Sequence, residues 1–190
     1  MSKIILTDID ETVLDFTTPF EKWLVGKGWS LRGHMRDNYD LTKILDIDVD
    51  AVMLLIEEFH TVAPEFENLE PEPCAGVVLP RLKAEGYRFI GITAAVDTEH
   101  VRQRRLRNLN AAFGFEWDDC ICVGLRQPKS HILEQYAPAI WVDDNFNHAV
   151  GGAEVGHRTF MQSHGYNAGL SHPLVTRVAD WHEIYRLMGS

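Results

Sequence analysis

The chain has 190 residues, enough for one domain with a sizeable core and a smaller insertion. Its 45% hydrophobic and 24% charged content is ordinary for a globular protein and excludes a disordered polyelectrolyte. The formal net charge of -10, from 28 acidic against 18 basic residues, disfavours sequence-independent binding to duplex nucleic acid. A small anionic substrate stays open, because local positive charge and a metal can override the mean field.

The chain meets Asp8 and Asp10 at once and lacks the apolar stretch of a signal peptide there. No later run approaches the roughly 18 apolar residues of a membrane span, so the expectation is a cytoplasmic protein with no membrane partner. Cys74, Cys120 and Cys122 are odd in number and contain no CxxC, which argues against a disulfide framework or a structural zinc site. Cys120 and Cys122 read as packed apolar groups on one side of a strand.

The first apolar run, over 3–7, is unbroken at its centre, as a doubly buried strand should be. Similar runs follow over 88–93, 119–123, 139–142 and 158–161. Between them lie crossovers. Asp97 is placed to cap a helix carrying Val101, Arg104, Arg105 and Leu109 towards Phe113, with Gly114 ending it. Ser130 is placed to cap a short helix through Ile132, Leu133 and Tyr136, and 180–188 reads as a C-terminal helix. Pro80 is expected to kink the helix that starts near Ala75.

The interval 15–73 breaks this alternation. Thr18-Pro19-Phe20-Glu21 has the pattern of a capping box opening a helix that ends near Gly26. Asp40 can start another turn or two, and Asp48 can cap a helix with Val52, Met53, Ile56 and Phe59 at helical spacing. Glu70-Pro71-Glu72-Pro73 then reads as an extended linker. The expected fold class is α/β, a Rossmann-like parallel sheet flanked by helices, with a small, mostly helical insertion after the first strand. The core comprises 1–14 and 74–190, and 15–73 forms a lid.

Asp8-Ile9-Asp10-Glu11-Thr12 follows the first strand directly, at the carboxyl end where open α/β sheets place their sites. Two carboxylates cannot both be buried without a cation or a shared proton, and hard oxygen ligands suit magnesium. Asp143 and Asp144 again place acids at a strand end. Thr93 ends the second strand, where its hydroxyl and the amides of Ala94 and Ala95 can hold a phosphate oxygen. Lys129 precedes the short helix, where its ammonium can neutralise a phosphate. Strand-end aspartates are often turn residues or caps, as Asp97 and Asp180 are read here. Thr12 is expected to brace the loop through side-chain-to-backbone bonds, and Glu11 to be solvated.

The order Asp8-x-Asp10-x-Thr12, Thr93, Lys129, Asp143-Asp144 resembles the four motifs of the haloacid dehalogenase-like (HAD) phosphohydrolases. The resemblance implies that Asp8 is the nucleophile and Asp10 the general acid and base. It implies a magnesium ion held by Asp8, the backbone carbonyl of Asp10 and the Asp143-Asp144 pair, with Asp144 as direct ligand and Asp143 beside it. Thr93, Ala94 and Lys129 would bind the phosphoryl group. The insertion stands where the family carries its C1-type cap, which implies a small phosphomonoester as substrate rather than a protein or a duplex.

The plan is also similar to the 5'(3')-deoxyribonucleotidases, on Asp15-Phe16, Glu72-Pro73-Cys74-Ala75-Gly76 and the Gly165-Tyr166-Asn167 ending. Glu11 stands where those enzymes commonly have Gly. This resemblance implies a nucleoside monophosphate, with Phe16, Phe20, Trp23 or Tyr39 as candidates to stack on its base. Two alternatives are a polynucleotide 3'-phosphatase, which wants a basic groove, and a catalytically silent HAD-like binding domain. Residues 102–107 read as a solvated basic helix face on which Arg104 or Arg105 must partly pack. His148, His157, His164, His172 and His182 lack metal-binding spacing and read as surface or hydrogen-bonded groups.

Overall fold

The computed structural model describes residues 3–38 and 40–189. Six strands form one parallel sheet: β1 (Ile4–Thr7), β2 (Arg88–Thr93), β3 (Asp119–Cys122), β4 (Ile140–Asp143), β5 (Arg158–Gln162) and β6 (Val175–Val178). Their order is β3-β2-β1-β4-β5-β6. Five of the six are the predicted runs. The sixth escapes because Val175-Thr176-Arg177-Val178 buries only Val178 and so shows no apolar run.

Successive side chains of a strand point to opposite faces, and both faces are covered. Ile5, Phe89 and Val142 join the larger apolar cluster, while Leu6, Ile90 and Trp141 join the smaller one on the other side. The helices that cover them are α1 (Thr17–Gly26), α2 (Leu41–Leu45), α3 (Val49–Val62), α4 (Pro73–Ala84), α5 (Glu99–Phe113), α6 (Ser130–Leu133), α7 (Phe146–Glu154) and α8 (Trp181–Met188). Three of these helices, with a 3₁₀ turn at Pro64–Glu67, lie between β1 and the start of α4. Among the described residues no helix is long and apolar enough to cross a membrane.

Asp40, Asp48 and Asp180 cap α2, α3 and α8 through their side chains, as expected. Three other start signals are read differently by the fold. Thr98, not Asp97, caps α5, because its hydroxyl accepts the Val101 N–H. Ser130 is the first residue of α6 and makes no capping bond. The Thr18–Glu21 box does not form: Asp15 Oδ1 accepts the Thr18 N–H, and Glu21 instead accepts the Met35 N–H at 2.7 Å. α4 runs through Pro80 as one helix.

After β1 the chain builds outward through β2 and β3, then returns to the other side of β1 with β4. The order reverses there, so the carboxyl ends of β2, β1 and β4 open side by side onto one crevice.

Candidate active site

The first strand delivers its aspartates through a tightly held loop. The Asp8 N–H donates to Val142 O at 2.8 Å, tying the exit of β1 to β4. The N–H groups of Val13 and Leu14 both donate to Ile9 O, which turns the chain back on itself. Ile9 lies over Gly91 of β2, where an added Cβ would come within 2.8 Å of its terminal methyl and force that side chain to shift. Glu11 takes a left-handed conformation, φ 56°, which the tight turn requires.

Lys129 is fully buried and bridges two strand ends: its Nζ lies 2.7 Å from Asp8 Oδ1 and 2.9 Å from Asp143 Oδ2. These carboxylates hold the ammonium charged by raising its pKa against the opposing effect of burial. Asp143 also accepts the Asn145 N–H at 2.7 Å, so both of its oxygens are engaged. Asp144 accepts from neutral hydroxyls, Thr12 Oγ1 at 3.1 Å and Tyr166 Oη, while its carbonyl accepts from Asn167. Thr12 therefore braces an acid of a distant strand rather than its own loop.

Asp8, Asp143 and Asp144 present carboxylate oxygens that all lie within 4.8 Å of one another. Burial pushes Asp143 up to about 7, and burial with repulsion from Asp143 and Asp8 pushes Asp144 well above the usual range. One ammonium does not balance three buried carboxylates, and hard oxygen donors of this kind fit a divalent cation such as Mg²⁺. A second acidic group, Glu11, Asp15 and Glu72, is already compensated, because Arg36 pairs with all three.

Asp10 faces the same crevice from the other side. Arg105 Nη2 donates to both of its oxygens, at 2.7 and 2.9 Å, and Thr93 Oγ1 donates to Oδ2 at 3.3 Å. Burial raises the Asp10 pKa; Arg105 opposes this, and nearby Asp8 adds to it. The Arg105 side chain is wholly buried over the Phe66 ring, 4.0 Å from its centroid.

Asp8, Asp10, Thr93, Ala94, Lys129 and Asp144 all line one cavity of about 740 Å³, with Asp143 directly beneath. Phe16 reaches the same cavity. Phe20 does not: it is fully buried among Phe16, Trp23 and Phe59, where it packs the helical segment. Trp23 lines a separate hollow, with Lys27 over its ring. Tyr39 lies outside the described residues.

Glu11 is not solvated. It is buried, its Oε1 accepts the N–H groups of Phe16 and Thr17, and burial pushes its carboxyl up to about 7. It thereby replaces the missing capping box at the start of α1.

Arg105, Tyr166 and His60 were not among the expected site residues, although Arg105 was expected to pack in part and Tyr166 belonged to the nucleotidase-like ending. Val101, Arg105 and Leu109 recur four residues apart, so an arginine on an apolar helix stripe was the available signal for the first. The Tyr166 bond to Asp144 and the His60 position on the cavity wall join residues far apart in sequence, and no local pattern announces them.

No protein-family profile and no curated protein sequence matches the chain. Solved structures do. CbbY from Rhodobacter sphaeroides in complex with phosphate superposes with a TM-score of 0.64 at 16% identity, over 97% of this chain and 96% of that one. The L-2-haloacid dehalogenase from Xanthobacter autotrophicus gives 0.61 at 14% identity, over 100% and 99%. A dehalogenase with its intermediate complex gives 0.64 at 14%, over 98% and 96%. At such identities the likeness speaks to architecture, and the architecture of this chain is the haloacid dehalogenase-like fold.

Proposed function

We propose that the protein is a Mg²⁺-dependent phosphomonoester hydrolase that works through an aspartyl-phosphate on Asp8. The observation that carries this reading is Asp10: a second carboxyl group, with its pKa raised by burial, opens onto the cavity that holds Asp8. A halide leaves without a proton, whereas an alkoxide needs one. The acid at position 10 therefore has a task in phosphate-ester cleavage that dehalogenation does not offer it.

Asp8 and Asp144 would hold the cation, with the Asp10 carbonyl, while Asp143 keeps Lys129 and Asn145 as its partners. When bound, the ion supplies charge neutralisation for the phosphoryl oxygens. Asp8 attacks phosphorus as the ester P–O bond breaks, and Asp10 gives its proton to the departing oxygen. Asp10 then takes a proton from the water that attacks the acyl-phosphate, releasing inorganic phosphate and regenerating Asp8. Thr93, the Ala94 amide and Lys129 hold the phosphoryl oxygens throughout.

Residues 15–73 act as a cap over this site in our reading, since the segment supplies the wall opposite the acids. Of the aromatic residues put forward to stack on a base, Phe16 alone among the described ones lines the cavity.

The dehalogenase likenesses favour hydrolytic dehalogenation as the second reading. One experiment separates the two. Wild type is offered an aryl phosphate and a 2-haloalkanoate, each with Mg²⁺ and then with chelator. Chelator-sensitive phosphate release, lost by at least about 10⁴-fold in Asp8→Asn, is expected. Halide release that survives the chelator, without phosphate release, would overturn the proposal.

A further inference from the structure

The cap-side wall of the cavity has a chemistry of its own. Val49, Val52, Met53, Ile56 and His60 of α3 all line it, and their spacing puts them on one helical stripe. His60 marks the inner end, because its Nδ1 accepts the N–H of Val96, just beyond Thr93. From Ile56 outward to Val49 the stripe runs for roughly 10 Å and carries only hydrocarbon and thioether groups. Leu41 and Met35 widen it. Met53 and Ile56 are only half-buried, so apolar surface faces the cavity. Such surface gains free energy when a ligand displaces water from it.

The distribution of charge narrows the ligand further. Among the described lining residues, Lys129 and Arg126 are the only lysine or arginine. Lys129 lies at the floor between Asp8 and Asp143, and Arg126 is exposed. Asp37 and Asp40 also line the cavity, the latter paired with Lys43 at 2.9 Å. A second phosphate or a carboxylate would find no cation along the Ile56–Val49 ridge, and a polyol lying on the ridge would meet aliphatic side chains.

We infer that the ligand is a monophosphate whose organic part is apolar and uncharged, lying along the Ile56–Val49 ridge with its phosphate at Lys129. The inference takes the position of the phosphate from the hydrolase reading; the ridge stands independently of turnover.

The test measures binding to the full-length Asp8→Asn protein with Mg²⁺ by calorimetry, using n-alkyl monophosphates from ethyl to hexyl. Glucose 6-phosphate and adenosine 5'-monophosphate are run beside them. Affinity is expected to rise about three- to fourfold per methylene, or about 10²-fold across the series. Hexyl phosphate should bind more tightly than either comparison ligand. In the same background, Ile56→Asp, Met53→Asp and the milder Ile56→Ala should each lower the slope.

An affinity independent of chain length, or tighter binding of the sugar phosphate or nucleotide than of hexyl phosphate, would overturn the inference. Wild-type turnover of ethyl phosphate is measured separately. A steep slope without turnover would sink the hydrolase reading and leave the ridge standing; turnover with a flat slope would do the reverse.

Discussion

The carboxyl ends of β1, β2 and β4 face the helical stretch over 15–73 across one cavity, and the two sides hold their groups by different means. On the sheet side, each acid follows a strand buried on both faces, and parallel pairing places three strand ends together. Lys129 and Arg105 then fix Asp8 and Asp10 from behind. On the helical side, position is set by packing: Phe16, Phe20, Trp23 and Phe59 form one aromatic cluster, and Glu11 and Arg36 tie the entry to the exit. A register-fixed side tolerates dense charge, whereas a packing-fixed side presents whatever surface its helices leave over.

The largest effect should come from the helical side. Phe20→Ala is expected to cost about 3–5 kcal/mol in urea unfolding, with KM unchanged, because the ring is buried in the insertion and does not line the cavity. A raised KM at unchanged stability would return Phe20 to the substrate site.

Arg105 belongs to the sheet side but packs on Phe66 of the insertion, so it tests the boundary between the two. Arg105→Met leaves Asp10 without its cation and is expected to cost about 3 kcal/mol of stability. Much of that loss should return in the double variant with Asp10→Asn, measured as a double-mutant cycle. The kcat of Arg105→Met should fall about 10²-fold on an alkyl phosphate and much less on an aryl phosphate, whose leaving group needs less proton donation. Equal losses on both esters would remove Arg105 from any part in holding the acid.

The smallest effect concerns pH. An unfolded His60 takes up a proton near its ordinary value of about 6.5. In the fold, burial first, then Arg105 and Arg104, hold the ring neutral well below that. The unfolded state therefore takes up this proton first as pH falls, so the contribution of His60 to stability should decrease by up to about 1.4 kcal/mol per pH unit below 6.5, opposite in sign to the contributions of Glu11 and Asp143, whose raised carboxyls take up protons first in the fold. His60→Asn keeps an acceptor for the Val96 N–H and should remove that contribution, seen as a change in the slope of urea midpoints from pH 7 to 5 relative to wild type. An unchanged slope would assign the titration to another group.

Much of the sheet side was legible from residues 3–12, 88–93 and 139–144, where an apolar run ends in an acid or a threonine. That pattern is local, because strand burial and the site at its end are neighbours in sequence. The helical side was legible only as helices. Which aromatic faces the cavity depends on how α1 and α3 pack, and Phe16 and Phe20 differ in nothing a sequence pattern detects. Glu11 was misread because its partners, the N–H groups of Phe16 and Thr17 and the Arg36 guanidinium, exist only once the loop closes. β6 was missed because an edge strand buries too little to leave a pattern.

The central claim is that Asp8 becomes covalently phosphorylated. Wild type mixed with an aryl phosphate and Mg²⁺ and quenched in acid should yield a phosphorylated peptide containing Asp8, sensitive to hydroxylamine. Asp10→Asn should accumulate it, because hydrolysis of the acyl-phosphate then lacks its base. Steady turnover with no label on Asp8, or with label on any other residue, would contradict the account.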